Sequence, residues 1–318
     1  MKVLFVSSGN SKEFDIIPFI RNQGESLRKE GVELDFYPIK GKGISGYLKA
    51  VSPLRKHIKK GGYDLIHAHF IYSGWTAVLA SALTGKPVVL SFMGNDLCGE
   101  FRVDGSLKTK SYIYFLLSFL IQPFCKAIIV KSQNLLDRVW MKSKTHKVPN
   151  GIDFEMFKPI SKTEARTRLN LPLDKRIVLF MGGKVQEVKN YIGAKNAFKA
   201  LKDEHAVFVA PYPVTHVEVP LYLNAGDVLV VPSFNEGSAN IIKEALACNT
   251  KIVATPVGDA VEMIGNVKGC IITDFEPERM AADINKALSF EGDAEGRSSI
   301  QHLEIQATAK TIIDIYRS

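Results

Sequence analysis

Residues 227–255 read DVLVVPSFNEGSANIIKEALACNTKIVAT, and this stretch decides the fold. Val228–Val231 is a short apolar run that predicts a buried strand, and Pro232-Ser233 stops it. Phe234–Ser238 then forms a turn. From Ala239 to Cys248 the residues Ile242, Ala245 and Leu246 recur at helical spacing, and Ile252–Ala254 is a second buried strand. In strand–loop–helix–strand units of this kind, ligands bind outside the carboxyl end of the strand. Glu236, Gly237, Ser238, Ala239 and Asn240 therefore fall at a binding edge, with Glu244 one turn into the helix.

The chemistry open to that edge is narrow. Backbone N–H groups at a helix start attract phosphate, and Gly237 allows close approach. A carboxylate offers only acceptors, so Glu236 and Glu244 suit the paired hydroxyls of a ribose or a hexose. An acid/base pair of the glycosidase kind needs carboxyls roughly 5–9.5 Å apart across one bond, and turn plus helix hold these two further apart. The plain alternative is that Glu244 is a solvated helix charge and that Glu236 only favours the helix dipole.

Glu236, seven residues and then Glu244, followed by EALACNTKIVATPVG, resemble the donor-site signature of retaining glycosyltransferases of family 4. The family usually writes the loop Glu-Gly-Phe-Gly, where this chain has Glu236-Gly237-Ser238-Ala239. The resemblance implies the GT-B fold: α/β, with two Rossmann-like doubly wound parallel-sheet domains facing a cleft. Upstream, Arg176–Met181 predicts a strand ending in Gly182-Gly183-Lys184, with Lys189-Asn190 before a helix. The family writes Gly-Arg-Leu-x-x-x-Lys there, both cations holding the donor pyrophosphate. Lys184 keeps the charge but lacks arginine's planar fork. The resemblance thus makes Glu236, Lys184 and Lys189 catalytic candidates. Gly9, Gly183, Gly237, Ser238, Ala239, Asn240 and Glu244 are the donor-binding ones.

The first half follows the same pattern. Lys2–Val6 predicts a strand running into Ser7-Ser8-Gly9-Asn10, and Asp15–Lys29 a helix closed by Gly31. Only Gly9 stands where the family's first loop is Gly-rich, and there is no G-x-G-x-x-G. After a second strand at Glu33–Tyr37, Gly46–Lys60 is a basic amphipathic segment that suits an anionic lipid surface. Asp64–His69 is a third strand resembling the family's His-x-His segment. Histidines at spacing two share one face, and no third metal ligand accompanies them. The expectation is one histidine in the core and His69 at the substrate, with no metal. Pro87–Ser91, a fourth strand, leads into Phe92-Met93-Gly94-Asn95-Asp96, where the family commonly has His-Gly-x-Asp. Met93 holds the histidine's place, and a thioether neither shuttles a proton nor donates a hydrogen bond. Asp96 matches and is expected to fix the loop; His69, Asn95 and Asp96 are the acceptor-side candidates.

Tyr112–Ile121 is apolar after a polar stretch, and reads either as an interfacial helix or as a core helix under a charged loop. Lys126–Lys131 predicts a strand and Asn134–Met141 a helix. Lys147–Asp153 resembles the family's Pro-Asn-Gly-x-Asp turn, and Pro159 marks a boundary. Beyond the strand at Ala206–Ala210 the second domain is trimmed relative to the family; helices near Glu278–Ser289 and Ser299–Tyr316 close the chain. The expected domains are 1–155 on the acceptor side, 156–300 for the nucleotide sugar, and a C-terminal helix at 301–318 packing back on the first.

At 318 residues and 46% hydrophobic, the chain can bury two cores. Four cysteines without metal-ligand spacing suit a reducing cytosol. No leader is visible, and Tyr112–Ile121, the best apolar run, has ten residues, too few to span a bilayer. The net charge of +8 is uneven: residues 1–155 hold 22 Lys+Arg against 13 Asp+Glu, and residues 156–318 hold 19 against 20. No nucleic-acid module accompanies that basic half, so a phospholipid surface or a lipid-diphosphate acceptor fits it better than nucleic acid; a solvated basic surface is the plain alternative.

The reading is a metal-independent, retaining hexosyltransferase without cofactor. It would use a UDP-sugar and a sugar or lipid-linked acceptor in bacterial surface polysaccharide or glycolipid synthesis. It would work in the cytoplasm, at the inner face of the plasma membrane. The rivals are a nucleotide-sugar epimerase or phosphorylase on the same fold, and a catalytically weak binding subunit.

Overall fold

A computed structural model describes residues 1–318 except Lys12, Glu13, Lys42, Val103, Lys184 and Val185. The chain divides into two compact units: Met1–Gly99 with Thr109–Gly151 and Ile305–Ser318, and Glu100–Lys108 with Ile152–Glu304. The first holds a six-stranded sheet of β1 (Lys2–Ser8), β2 (Glu33–Ile39), β3 (Leu65–His69), β4 (Val88–Ser91), β5 (Ala127–Val130) and β6 (Thr145–Lys147), in the order β2-β1-β3-β4-β5-β6. The second holds a five-stranded sheet of β7 (Arg176–Leu179), β8 (Ala206–Val209), β9 (Val228–Val231), β10 (Ile252–Ala254) and β11 (Ile271–Ile272), in the order β11-β10-β9-β7-β8. Every pairing is parallel. Both are doubly wound sheets, as the repeating strand–helix pattern predicts.

Parallel strands carry helices on both faces, which is why these strands read as unbroken apolar runs. Every residue of β3, β4, β5, β9 and β10 is buried. Alternate side chains feed two cores per sheet. In β1, Leu4 and Val6 enter one cluster while Val3 and Phe5 enter the other. In β9, Leu229 and Val231 oppose Val228 and Val230 in the same way. Asp227 anchors the start of β9, accepting from Ile177 N–H at 2.6 Å, from Arg166 at 2.6 Å and from Lys162 at 2.7 Å.

The observed boundaries differ in places from the expected ones. Residues 100–108 belong to the second unit, which ends at Glu304, and the last helix, Ile305–Arg317, belongs to the first. Its Ala309, Ile312 and Tyr316 join the core that contains Ile20 and Leu27. The helix expected over Asn134–Met141 is only Gln133–Asp137, because a short turn at Lys142–Lys144 and β6 follow at once. Neither β6 nor β11 carries a strand signature: β6 has no apolar residue, and β11 is two residues long. Between β8 and β9 stands the helix Val219–Ala225.

Candidate active site

Counted from its own first strand, each sheet has the same order, and each reverses between its first and third strands. Loops leaving the carboxyl ends of those strands part there and open a crevice. In the second unit the reversal lies between β7 and β9. The β7 loop carries Gly182, Gly183 and Lys189, and the β9 loop carries Glu236.

The two loops meet at one oxygen. Lys189 Nζ donates to Glu236 Oε1 at 2.6 Å and Ser233 Oγ donates to the same oxygen at 2.8 Å. The side chains of Lys189 and Glu236 are 26% and 12% exposed, so both are recessed yet reachable. Phe234 N–H bonds Val188 O at 2.9 Å and holds the loops together. Asn190, at a left-handed φ of 54°, caps the helix Tyr191–Leu201 by accepting from Gly193 N–H at 3.0 Å. Its amide also donates to Pro232 O at 3.1 Å, which fixes the residue next to Lys189 against the β9 loop. Gly258, at φ +59°, passes beneath the loop: a Cβ there would stand 2.9 Å from the Glu236 carbonyl oxygen.

Below the loop lies a buried polar network. Ser238 Oγ donates to Asp259 Oδ2 at 2.6 Å and accepts from Lys243 Nζ, which stands 3.6 Å from Asp259 Oδ2. Lys243 and Asp259 are 0% and 2% exposed. Burial lowers the Lys243 pKa, and Asp259 opposes that shift. Ser238 thus commits its hydroxyl to the scaffold and has only its backbone left for a ligand. Ala239, whose side chain is buried, is the N-cap of the helix Asn240–Ala247 and supplies no side-chain cap. Glu244, half-buried on that helix, has its carboxyl pKa pushed up to about 7 by burial, with the charges of Lys243 and Lys189 pulling the other way. Gly183 has φ +68° beside the Tyr212 ring. Lys184 lies outside the described residues.

The equivalent crevice of the first unit, between β1 and β3, is filled differently. Gly9 follows β1, donates to Ile39 O at 2.9 Å, and lies so close to Pro38 that a Cβ would meet its Cβ at 2.6 Å. His67 and His69 share one face of β3, with ring centroids 4.3 Å apart, and both are 0% exposed. His69, expected at the substrate, is instead sealed: Phe5 packs on it at 4.6 Å and Gln23 Oε1 lies 3.4 Å from its Nε2. Burial first, then neighbouring charge (from His69 and Lys131 on His67, from Lys131 on His69), holds both imidazoles well below the ordinary histidine range. His67 bonds Tyr316 through Nδ1, and Ser91 Oγ at 2.8 Å through Nε2. Asp96 accepts from Ile71 N–H at 2.9 Å and Met93 N–H at 3.0 Å, tying the β3 and β4 loops together; burial, opposed by these bonds, raises its pKa to about 6. Phe70, which precedes Ile71, has φ 69° and ψ 154°, backbone that is ordinarily glycine's. Asn95 is exposed.

Sequence reading missed Ser233, Asn190, Lys243, Asp259 and Gly258. Lys243 left one signal: it neighbours Ile242 on the core-facing side of its helix, and a charge there needs a partner.

Two family models match the chain. One described as Glycosyltransferase Family 4 covers residues 11–156, and one described as Glycosyl transferases group 1 covers residues 173–289. A Bacillus subtilis (strain 168) protein named for a glycosyltransferase step of teichuronic acid biosynthesis, TuaC, is 26% identical, aligned over 92% of this chain and 88% of its own. Among solved structures, sucrose-phosphate synthase from Thermosynechococcus elongatus matches with TM-score 0.75 at 18% identity, covering 99% of this chain and 98% of that one. Anabaena Alr3699/HepE in complex with UDP and glucose matches with TM-score 0.75 at 15% identity, covering all of both chains.

Proposed function

This chain belongs to glycosyltransferase family 4, and we propose that it moves a hexose from a UDP-sugar to an acceptor hydroxyl with retention of configuration. The observation that carries the reading is the Lys189–Glu236 pair at the β7/β9 reversal, beside an uncapped helix start. In this reading the pyrophosphate rests on Lys189, Lys184 and the amides of Gly237 to Asn240, which stabilise the negative charge that grows as the sugar leaves. Glu236, oriented through one oxygen by Lys189 and Ser233, offers its other oxygen to the sugar hydroxyls. Glu244 takes the ribose diol. The bond from the sugar to the phosphate oxygen breaks, the acceptor oxygen bonds to the same face, and the acceptor proton passes to the departing diphosphate. No protein nucleophile is required, and neither metal nor cofactor enters the scheme. UDP is chosen because Anabaena Alr3699/HepE, which shares this fold, was solved in complex with UDP and glucose.

Surface polysaccharide or glycolipid synthesis supplies the acceptor class, in keeping with the name of the Bacillus relative. The partners are a sugar or lipid-linked acceptor and, through the basic first 155 residues, an anionic membrane surface at the inner face of the plasma membrane. Incubation with UDP-hexoses, with and without a lipid-linked acceptor and with EDTA present, tests the scheme. Transfer with the donor's anomeric configuration is expected to persist in EDTA. Sugar conversion without any acceptor would make it an epimerase instead. Loss of turnover in chelator, restored by Mn²⁺, would overturn the metal-free scheme.

A further inference from the structure

Helix Ser111–Ile121 of the first unit is apolar on two opposite faces. Tyr114, Leu117 and Ile121 pack into the core of that unit. Tyr112, Ile113, Leu116, Phe119 and Leu120 are 65%, 45%, 59%, 55% and 45% exposed. Their spacing draws one continuous stripe along the outside. Phe124 and Trp140, also exposed, extend it: Trp140 Nε1 donates to Phe119 O at 3.0 Å, and the two rings lie 5.3 Å apart. Contiguous apolar patches of this kind mark an interaction surface. The helix does not cross a bilayer. Its 11 residues span only about 16 Å, roughly half of a hydrocarbon core, and among the described residues no helix is long and apolar enough to cross.

What surrounds the stripe selects its occupant. Residues 109–151 hold seven Lys+Arg, six of them at least partly exposed because Lys131 is buried, and a single acid, Asp137. Lys144 Nζ donates to Pro123 O at 3.1 Å and Cys125 O at 2.7 Å, one on each side of Phe124. Arg138, also exposed, lines a pocket of about 320 Å³ with Leu97, Phe115, Phe119 and Gln122. Apolar side chains, amphipathic Tyr and Trp rings, and a cationic surround match the layers of an anionic bilayer surface: hydrocarbon, headgroup boundary and phosphate. A second copy of the chain on the same face would instead set cations against cations. The basic helix Val51–Gly61 is a poorer insertion surface, since its Leu54 and Ile58 are buried and its exposed side carries Lys56, Lys59 and Lys60 with Ser52, Pro53 and His57.

We infer that this stripe docks the first unit on an anionic bilayer, with the helix lying in the interface plane and Arg138 meeting lipid phosphate. The inference rests on the membrane part of the function proposed above and not on its donor chemistry, because vesicle binding is read without turnover. The test is co-sedimentation with phosphatidylglycerol-containing and with pure phosphatidylcholine vesicles. The full chain is compared with Leu116→Ser/Phe119→Ser and with Lys56→Gln/Lys59→Gln/Lys60→Gln, thermal melts serving as fold control. The parent is expected to prefer anionic vesicles at least tenfold, the stripe variant to lose at least tenfold in partitioning, and the lysine variant to lose less than threefold. In a Trp75→Phe background, brominated lipid should quench Trp140. Parent binding with an unaffected stripe variant sinks this surface alone. No parent binding to anionic vesicles sinks the membrane reading with it. A dimer in sedimentation that the stripe variant dissolves would give the face to a second copy and overturn the proposal.

Discussion

The two units share one topology and use its reversal point in opposite ways. In the second, the crevice between β7 and β9 holds an ion pair that solvent still reaches. In the first, the crevice between β1 and β3 is closed over two neutral imidazoles at 0% exposure, with Tyr316 from the last helix completing the seal. Topology therefore fixes where a site can be, and burial decides whether the residues there are chemical or structural. Charged groups that remain charged at a strand end need water or a ligand nearby, whereas buried histidines answer burial by giving up their proton.

The largest expected effect lies beneath the second crevice. Removing one member of a buried ion pair leaves the other uncompensated, at a cost of about 3–5 kcal/mol. Lys243→Met should therefore lower the melting temperature severely, and Lys243→Met/Asp259→Leu should recover much of the loss. A single variant that melts like the parent would show that the network does not hold the loop. Next comes the pair above it. Lys189→Ala and Glu236→Ala should each reduce kcat roughly 10²–10³-fold while circular dichroism stays unchanged, since partly exposed pairs add little stability. The double variant should be no worse than the poorer single one, because the two act as a unit. His69→Gln should leave kcat within a few-fold and act on stability instead. A kcat loss there equal to that of Glu236→Ala would break the contrast between the crevices.

Much of this contrast was legible in the sequence, and what was not has a physical reason. β7, β9 and β10 stood out because strands covered on both faces are continuously apolar, and the spacing of Glu236 and Glu244 survived the Phe-Gly to Ser-Ala change. The burial of His69 was not legible: a histidine on a strand reads the same whether its neighbour is solvent or Phe5. Nor was the coupling of Ser238 to Lys243 and Asp259, which depends on where the β10 loop returns. The exposed stripe of Ser111–Ile121 stayed ambiguous because an apolar helix has no polar side to mark its outside.

A smaller pair of effects separates the two raised carboxyls. Glu244 has a folded pKa of about 7, above its ordinary 4.5. Such a shift contributes stability that is fully present below the unfolded value and is lost as pH rises through the folded one. Glu244→Gln should hence equal the parent near pH 4.5 and exceed it above pH 7, by about 1–3 kcal/mol, while weakening nucleotide-sugar binding. Asp96 is also raised, to about 6, but its oxygens accept two backbone N–H groups. An amide has a single oxygen, so Asp96→Asn should destabilise by about 1–3 kcal/mol at pH 8. Chemical denaturation across pH decides both, and equal signs for the two variants would refute the distinction.

The smallest effect tests the seal of the first crevice. Burial raises the Tyr316 pKa, so its hydroxyl keeps its proton and is available to donate to His67 Nδ1. In that tautomer His67 Nε2 is the N–H and donates to Ser91 Oγ, which gives the neutral ring one donor and one acceptor. Tyr316→Phe removes the hydroxyl with little change in shape and should cost about 1 kcal/mol, with kcat unchanged. The pH dependence runs opposite to that of Glu244. A histidine whose folded pKa is depressed contributes stability above its unfolded value of 6.5, and that stability is lost as pH falls from there toward the folded value. The parent should therefore lose stability below pH 6.5 through its first unit, and Tyr316→Phe should lose it less steeply, because an Nδ1 without its donor is readier to take a proton in the folded state and brings the folded pKa nearer to 6.5. Parallel unfolding curves for parent and variant from pH 8 to pH 5 would mean that Tyr316 does not set the protonation of His67, and that the seal is packing alone.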